Sequence, residues 1–301
     1  MVAGDWPQWR GPQRDGRVYT LGIGSILTCY DLKSGRVHWR KDFRGKFTQP
    51  APSCGTSMSP LLVDGLCVVH VGVDSKGELI ALGAETGQPR WTYDGDGPGY
   101  SSPIVITHDG EQQIVTLASQ YVVGVALKTG ELRWRYPFRT TNTQNIATPV
   151  YYGGSLIVAG IGQPIMALRL STGPGGVVEE AWSNGEVPLH MSSPVLVGDR
   201  LFGLSHRKSG HLFCLDAATG KTHWQSEGRF GENAALLHAG SLLIVLQNSG
   251  QLIFARTDAP GYQPIASYRV SSRPTWAHPA VVGQRILVKD TQTLLCWSLA
   301  P

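Results

Sequence analysis

The sequence predicts an all-β fold of repeated antiparallel sheets, and three observations carry the prediction. First, a turn-and-tryptophan unit recurs: Ser34-Gly35 precedes Trp39, Thr86-Gly87 precedes Trp91, Thr129-Gly130 precedes Trp134 and Thr219-Gly220 precedes Trp224. Thr172-Gly173 with Trp182 is a copy stretched by an insertion. Second, 37 Gly and 19 Pro against 16% charged residues favour short strands joined by turns over helices or disorder. Third, β-branched apolar runs bounded by Gly, Asp and Asn lie between the turns, which is the strand pattern. Four such runs fill a period of roughly 43 residues, one seventh of the chain, and a propeller blade takes roughly 40–45. The expected fold is a seven-bladed β-propeller of four-stranded antiparallel blades, forming a single domain over residues 1–301.

Taken in order, the first dozen residues belong to no complete blade. Blade one is short, with runs at 17–21, 26–32 and 37–43 and no opening strand. A linker rich in Pro, Gln and Ser (45–56) leads to blade two (58–93), followed by blade three (101–138) and blade four (146–183). Blade five (192–227) is the best copy of the repeat. Blade six (232–270) has lost both Thr-Gly and Trp, and blade seven (278–299) stops after three strands. An open ring would expose unpaired strand edges, so residues 5–10 are expected to pair onto blade seven and close it. Trp39, Trp91, Trp134, Trp182 and Trp224 are expected between neighbouring blades near the rim, where a large flat side chain covers most apolar surface. Gly35, Gly87, Gly130 and Gly220 belong to the accompanying turns.

The net charge of +4 is small and its Lys and Arg are scattered, which argues against nucleic acid as a partner. The five cysteines include no adjacent pair. Cys29, Cys214 and Cys296 share a repeat position with Ala81, Gly124 and Ala167, so each reads as a small buried residue between sheets. A disulfide between Cys54 and Cys67 stays open. His70, His108, His211 and His238 fall on strands or turns and read as structural. No apolar run is long enough to span a bilayer. Met1-Val2-Ala3-Gly4 runs directly into polar, Trp-rich sequence, without the pattern of a signal peptide.

The Asp-x-x-Thr-Gly-x-x-x-Trp repeats resemble those of pyrroloquinoline-quinone (PQQ)-type β-propellers. The opening Asp5-Trp6-Pro7-Gln8-Trp9-Arg10-Gly11-Pro12 with Arg14-Asp15-Gly16 is similar to that of bacterial PQQ-like propeller proteins. So are Gly99-Tyr100-Ser101-Ser102-Pro103, Met191-Ser192-Ser193-Pro194, Gly203-Leu204-Ser205-His206-Arg207 and Thr275-Trp276-Ala277-His278-Pro279. The resemblance covers nearly the whole chain and implies an exported protein, periplasmic or extracellular; with no signal peptide in this chain, a cytoplasmic location is the alternative. In that family the Arg-Asp-Gly opening leads into a full first blade. Here Asp15-Gly16 runs into Arg17-Val18-Tyr19, which looks like the middle of the next one, so about one blade is missing relative to relatives.

Quinoprotein alcohol dehydrogenases of this kind are much longer. They use an adjacent Cys-Cys disulfide, a calcium site of carboxylate and Asn, and a catalytic Asp. This chain has no adjacent cysteines, and Glu232-Asn233 is its one carboxylate–amide neighbour at the start of a first strand. Calcium takes about six or more oxygen ligands, so no cofactor is expected, PQQ with calcium being the case to test. His-Glu-x-x-His, Gly-x-Ser-x-Gly and P-loop patterns are missing, and no catalytic or metal-ligating residue is assigned.

Pro recurs just before the first strand at positions 60, 103, 149, 194 and 279, as a structural residue should. Its neighbours diverge towards aromatic and hydrogen-bonding types: Tyr100, Asn145, Met191, Glu232, Asn233, Trp276 and His278. Loops converge there on the mouth of the central channel, where ring-shaped β folds hold ligands. These residues are therefore candidates for a small-molecule or peptide site, with plain water-filled channel lining as the alternative. His206 and Arg207, with Lys208, form the loop between the second and third strands of blade five, predicted at the same face. They would suit an anionic or sugar-like ligand, with Trp276 as a stacking surface. The function expected is a non-catalytic binding or scaffold protein, a monomer, whose partner is a small molecule or a protein. The competing class is an enzyme: a quinone-dependent sugar or alcohol oxidoreductase, or a lyase or hydrolase using His206, Glu232 and His278. A third reading is an interaction platform like the propeller lipoprotein of outer-membrane barrel assembly, whose lipobox cysteine this chain lacks.

Overall fold

Seven antiparallel sheets account for most of the residues that this computed structural model describes, 16–47, 54–74, 76–171 and 177–299. Each sheet follows chain order, and together they are the blades of a seven-bladed β-propeller. Blades two to six have four strands; blades one and seven have three, Arg17–Leu21 to Val37–Asp42 and Ala280–Val282 to Leu294–Ser298. The expected pairing of residues 5–10 onto blade seven lies outside the described residues. Among the described residues the helical pieces are two three-residue 3-10 turns, Thr141–Thr143 and Arg207–Ser209.

The chain divides into two compact units. One holds blades one to three with part of blade four, the other the rest of blade four with blades five to seven. Within each unit the core lies between consecutive sheets. Leu27, Val69 and Ile80 join blades one and two, and Val68, Leu79, Ile114 and Val125 join two and three. Phe202, Leu212, Leu236 and Val245 join blades five and six, and Leu237, Leu246, Ile286 and Val288 join six and seven. Burying each such side chain contributes about 1.5–3 kcal/mol. Middle strands are therefore apolar on both faces, as in Leu66–Val73, whereas the last strand, Pro89–Gly95, alternates exposed and half-buried positions. The first hairpins close through two left-handed residues, Asp64-Gly65 (φ 45° and 74°) and Asp109-Gly110 (φ 50° and 74°), the conformation that matches strand twist.

Four of the repeat tryptophans are placed by a register slip. In the pairing of the last two strands, Cys29 faces Trp39, Ala81 faces Trp91, Gly124 faces Trp134 and Cys214 faces Trp224, and a bulge follows immediately in all four. A bulge re-aims the neighbouring side chain. Three of the rings reach the next blade: Trp39 lies over Gly87, Trp91 over Gly130 and Trp182 over Gly220. Their indole N–H groups donate to the carbonyls of Ala84, Leu127 and Ala217, each three residues before its glycine, at 2.9, 2.9 and 3.2 Å. Glycine is required there twice over. Gly220 has φ 70°, and a Cβ on it would stand 2.3 Å from the Trp182 ring.

Blades three, five and six depart from this scheme. Trp134 folds back over Gly124 and donates to Gln113 Oε1 at 2.7 Å. Trp224 meets no Thr-Gly turn in blade six; Tyr262 covers it, ring centroids 6.0 Å apart, and its buried indole nitrogen has no partner among the described residues. Blade six inverts the pair itself, with Phe254 opposite Ala266 and the bulge in its usual place.

The cysteines correct one expectation. Cys29 and Cys214 are fully buried, but Cys296, on the last strand of three-stranded blade seven, is exposed. Cys54 and Cys67 are both free, one exposed and one buried.

Candidate functional site

In the second unit a short strained loop frames the candidate residues. After Arg200–Ser205 the chain turns through His206 and Arg207–Ser209, with Lys208 and Ser209 left-handed at φ 55° and 58°. Non-glycine residues in this region cost about 1–3 kcal/mol each and persist where the surroundings over-determine them, often at binding sites. Three backbone bonds of 3.0 Å do so here, from Arg229 N–H to Lys208 O, Phe230 N–H to Gly210 O and Gly231 N–H to Ser209 O. The two segments pack so closely that a Cβ on Gly210 would meet Gly231 O at 2.0 Å.

Further bonds carry the frame through blades six and seven. Asn248 N–H donates to Asn233 O at 2.9 Å, and Thr275 N–H to Asn248 O at 3.0 Å. Ser192 Oγ donates to Asn233 Oδ1 at 2.7 Å and accepts from Ala234 N–H at 3.2 Å. The lead-in segments holding Met191, Glu232–Asn233 and Trp276 and the loop of His206 and Arg207 thus share one end of these three blades. On that frame His206, Arg207, Glu232 and His278 are exposed, Trp276 is 50% exposed, and Met191 and Asn233 are half-buried.

A bridge between Leu189 and Ser205 also brings in His190, which sequence reasoning missed. Its ring stands edge-on to His206, centroids 6.1 Å apart. Burial lowers the His190 pKa, and His206 lowers it further. No sequence pattern marks this pair, because its members lie sixteen positions apart and only strand pairing joins them. Arg207 Nη1 donates to Glu186 O at 3.3 Å, which aims the guanidinium along this face. Beneath the loop, His211 Nδ1 donates to Arg207 O at 3.0 Å; burial lowers its pKa.

The two candidates of the first unit sit differently. Asn145 is fully buried, donating through Nδ2 to Ala118 O and Ser119 O and accepting from Thr140 Oγ1 at 2.7 Å. Its carbonyl accepts the N–H groups of Tyr100 and Ser101, both at 2.9 Å. Tyr100 is buried, and its hydroxyl accepts Cys54 N–H at 3.4 Å. These two residues join the end of blade three to the start of the next lead-in, and their polar groups are engaged within the protein.

The PQQ–calcium group fits these residues poorly. Asn233 Oδ1 is taken by Ser192. Glu232 next to it is exposed, and among the described residues no three His, Cys, Asp or Glu side chains gather into a metal site. The described cysteines form no disulfide with one another.

A family model described as outer membrane protein assembly factor BamB matches residues 5–226. Outer membrane protein assembly factor BamB of Shewanella oneidensis is 24% identical over 70% of this chain and 54% of its own length. That of Burkholderia pseudomallei is 27% identical over 69% of the chain and 52% of its own. The chain therefore spans about half the length of these relatives. Among solved structures, quinohemoprotein alcohol dehydrogenase ADHIIG of Pseudomonas putida superposes with a TM-score of 0.62 at 16% identity, covering 91% of this chain and 60% of that one. At that identity the likeness is one of fold.

Proposed function

We propose that this chain, which belongs to the family described as outer membrane protein assembly factor BamB, is a non-catalytic binding scaffold of the bacterial periplasm. Its partner is a protein segment of the outer-membrane assembly machinery, docking on the common end of blades five to seven. One observation carries the reading: the pinned backbone there presents exposed Trp276, His206, Arg207, Glu232 and His278, with Met191 and Asn233 between them. A half-exposed tryptophan on a rigid frame is the kind of residue that dominates binding energy at interfaces, and arginine is the other. Arg207 suits a carboxylate of the partner and Trp276 an apolar side chain. The relatives' name supplies the biological setting.

The test is co-purification of tagged protein with outer-membrane assembly proteins from bacterial envelopes. Trp276→Ala and Arg207→Ala are expected to melt as wild type yet lose at least tenfold in affinity, about 1.4 kcal/mol. Undiminished binding by both variants would remove the site. Dye reduction with an alcohol or sugar after adding PQQ and calcium would replace the scaffold with an oxidoreductase.

A further inference from the structure

The first unit contains a cleft between blades two and three that is separate from the surface just described. It has a volume of about 330 Å³ and stands open to solvent. Tyr93 and Asp94 come from the last strand of blade two, Asp96 from the connection that follows, and Gln120, Tyr121 and Arg135 from blade three.

Asp96 builds the wall. Its Oδ1 accepts Gly97 N–H at 2.9 Å, its Oδ2 accepts Gln120 N–H, and its carbonyl accepts His70 Nε2–H at 3.0 Å. Burial pushes its carboxyl up, while the N–H groups of Gln120, Gly97 and Tyr121 and the Arg139 charge pull it back. Asp96 is therefore committed to the frame. Other lining groups remain open. The Arg135 guanidinium lies over the Tyr121 ring, 5.1 Å from its centroid, on an exposed position of the last strand of blade three. Asp94 is exposed and the Gln120 amide half-exposed, and neither side chain is engaged by another described residue. The Tyr93 ring is half-buried against the core of blades two and three, which holds it in place.

We propose that this cleft binds a neutral saccharide. An anion would meet Asp94 and Asp96, and a cation would meet Arg135, so both charge signs are opposed within a few residues. A polyhydroxylated ring meets neither conflict. Carboxylate, amide and guanidinium offer paired acceptors and donors to neighbouring hydroxyls, and the half-buried Tyr93 ring adds apolar surface for its C–H groups.

Saturation-transfer NMR with a panel of glucose, galactose, N-acetylglucosamine, maltose and cellobiose tests this, with inorganic phosphate and arginine methyl ester as charged rivals. At least one sugar is expected to bind. Its affinity should fall at least tenfold in Asp94→Asn and in Arg135→Gln, whose surface positions leave melting unchanged, and should persist in Trp276→Ala. No transfer to any sugar, stronger binding of phosphate or arginine methyl ester, or sugar binding untouched in both variants would each overturn the proposal.

Discussion

His70 lies fully buried on the second strand of blade two, its Nε2–H held by Asp96 O and its Nδ1 without a partner among the described residues. Burial lowers its pKa to about 4 from an unfolded value near 6.5. Between those pH values the unfolded chain holds the extra proton, so acid favours unfolding. Stability from this residue is fully present above about pH 6.5 and is lost as pH falls towards 4, by up to about 3 kcal/mol. His70→Gln keeps an N–H donor and removes the titration. Urea unfolding between pH 4 and 7 should therefore show a flatter stability curve for the variant, and equal slopes would assign the acid sensitivity elsewhere. The sequence marks His70 as structural by its place in an apolar run. Its missing partner at Nδ1 depends on what the fold sets against that atom.

At the scale of elements, blade six shows how a repeat survives loss of its signature. Elsewhere a small residue on the third strand makes room for the opposing Trp; here Phe254 fills that space and Ala266 stands opposite. Tyr268 packs edge-on against Phe254, centroids 6.2 Å apart. Ala266→Trp alone should cost about 1–3 kcal/mol by overpacking, and Phe254→Ala about 3–5 kcal/mol by opening a cavity. Combined, they restore the arrangement of the other blades and should cost clearly less than their sum. Additive costs in denaturant unfolding would refute the exchange of volumes. The blade boundaries were legible because they follow a period of turns. The compensation was not, because it pairs residues twelve apart through a register and bulge that composition does not reveal.

Over the whole molecule, cysteine accessibility summarises what lies inside. Cys29, Cys67 and Cys214 are buried, Cys54 and Cys296 exposed. Burial pushes the Cys67 thiol up and the Cys214 thiol up to about 12, which removes the reactive thiolate. A chromogenic disulfide reagent should thus titrate two thiols quickly in the native protein and all five of the chain in denaturant. Three or more fast thiols in native buffer would place a buried cysteine wrongly.

Sequence alone determined the number of blades, their order and the identity of the tryptophans, because alternating apolar runs and left-handed turn residues are local requirements that each repeat meets by itself. Tertiary structure decided which polar residues face outward. Asn145 and His206 look equally available in the sequence, yet one is consumed by the joint to its neighbour and the other stands on an exposed loop. A side chain's freedom depends on whether residues from another blade satisfy its hydrogen bonds, and only the packed sheets bring those residues within reach.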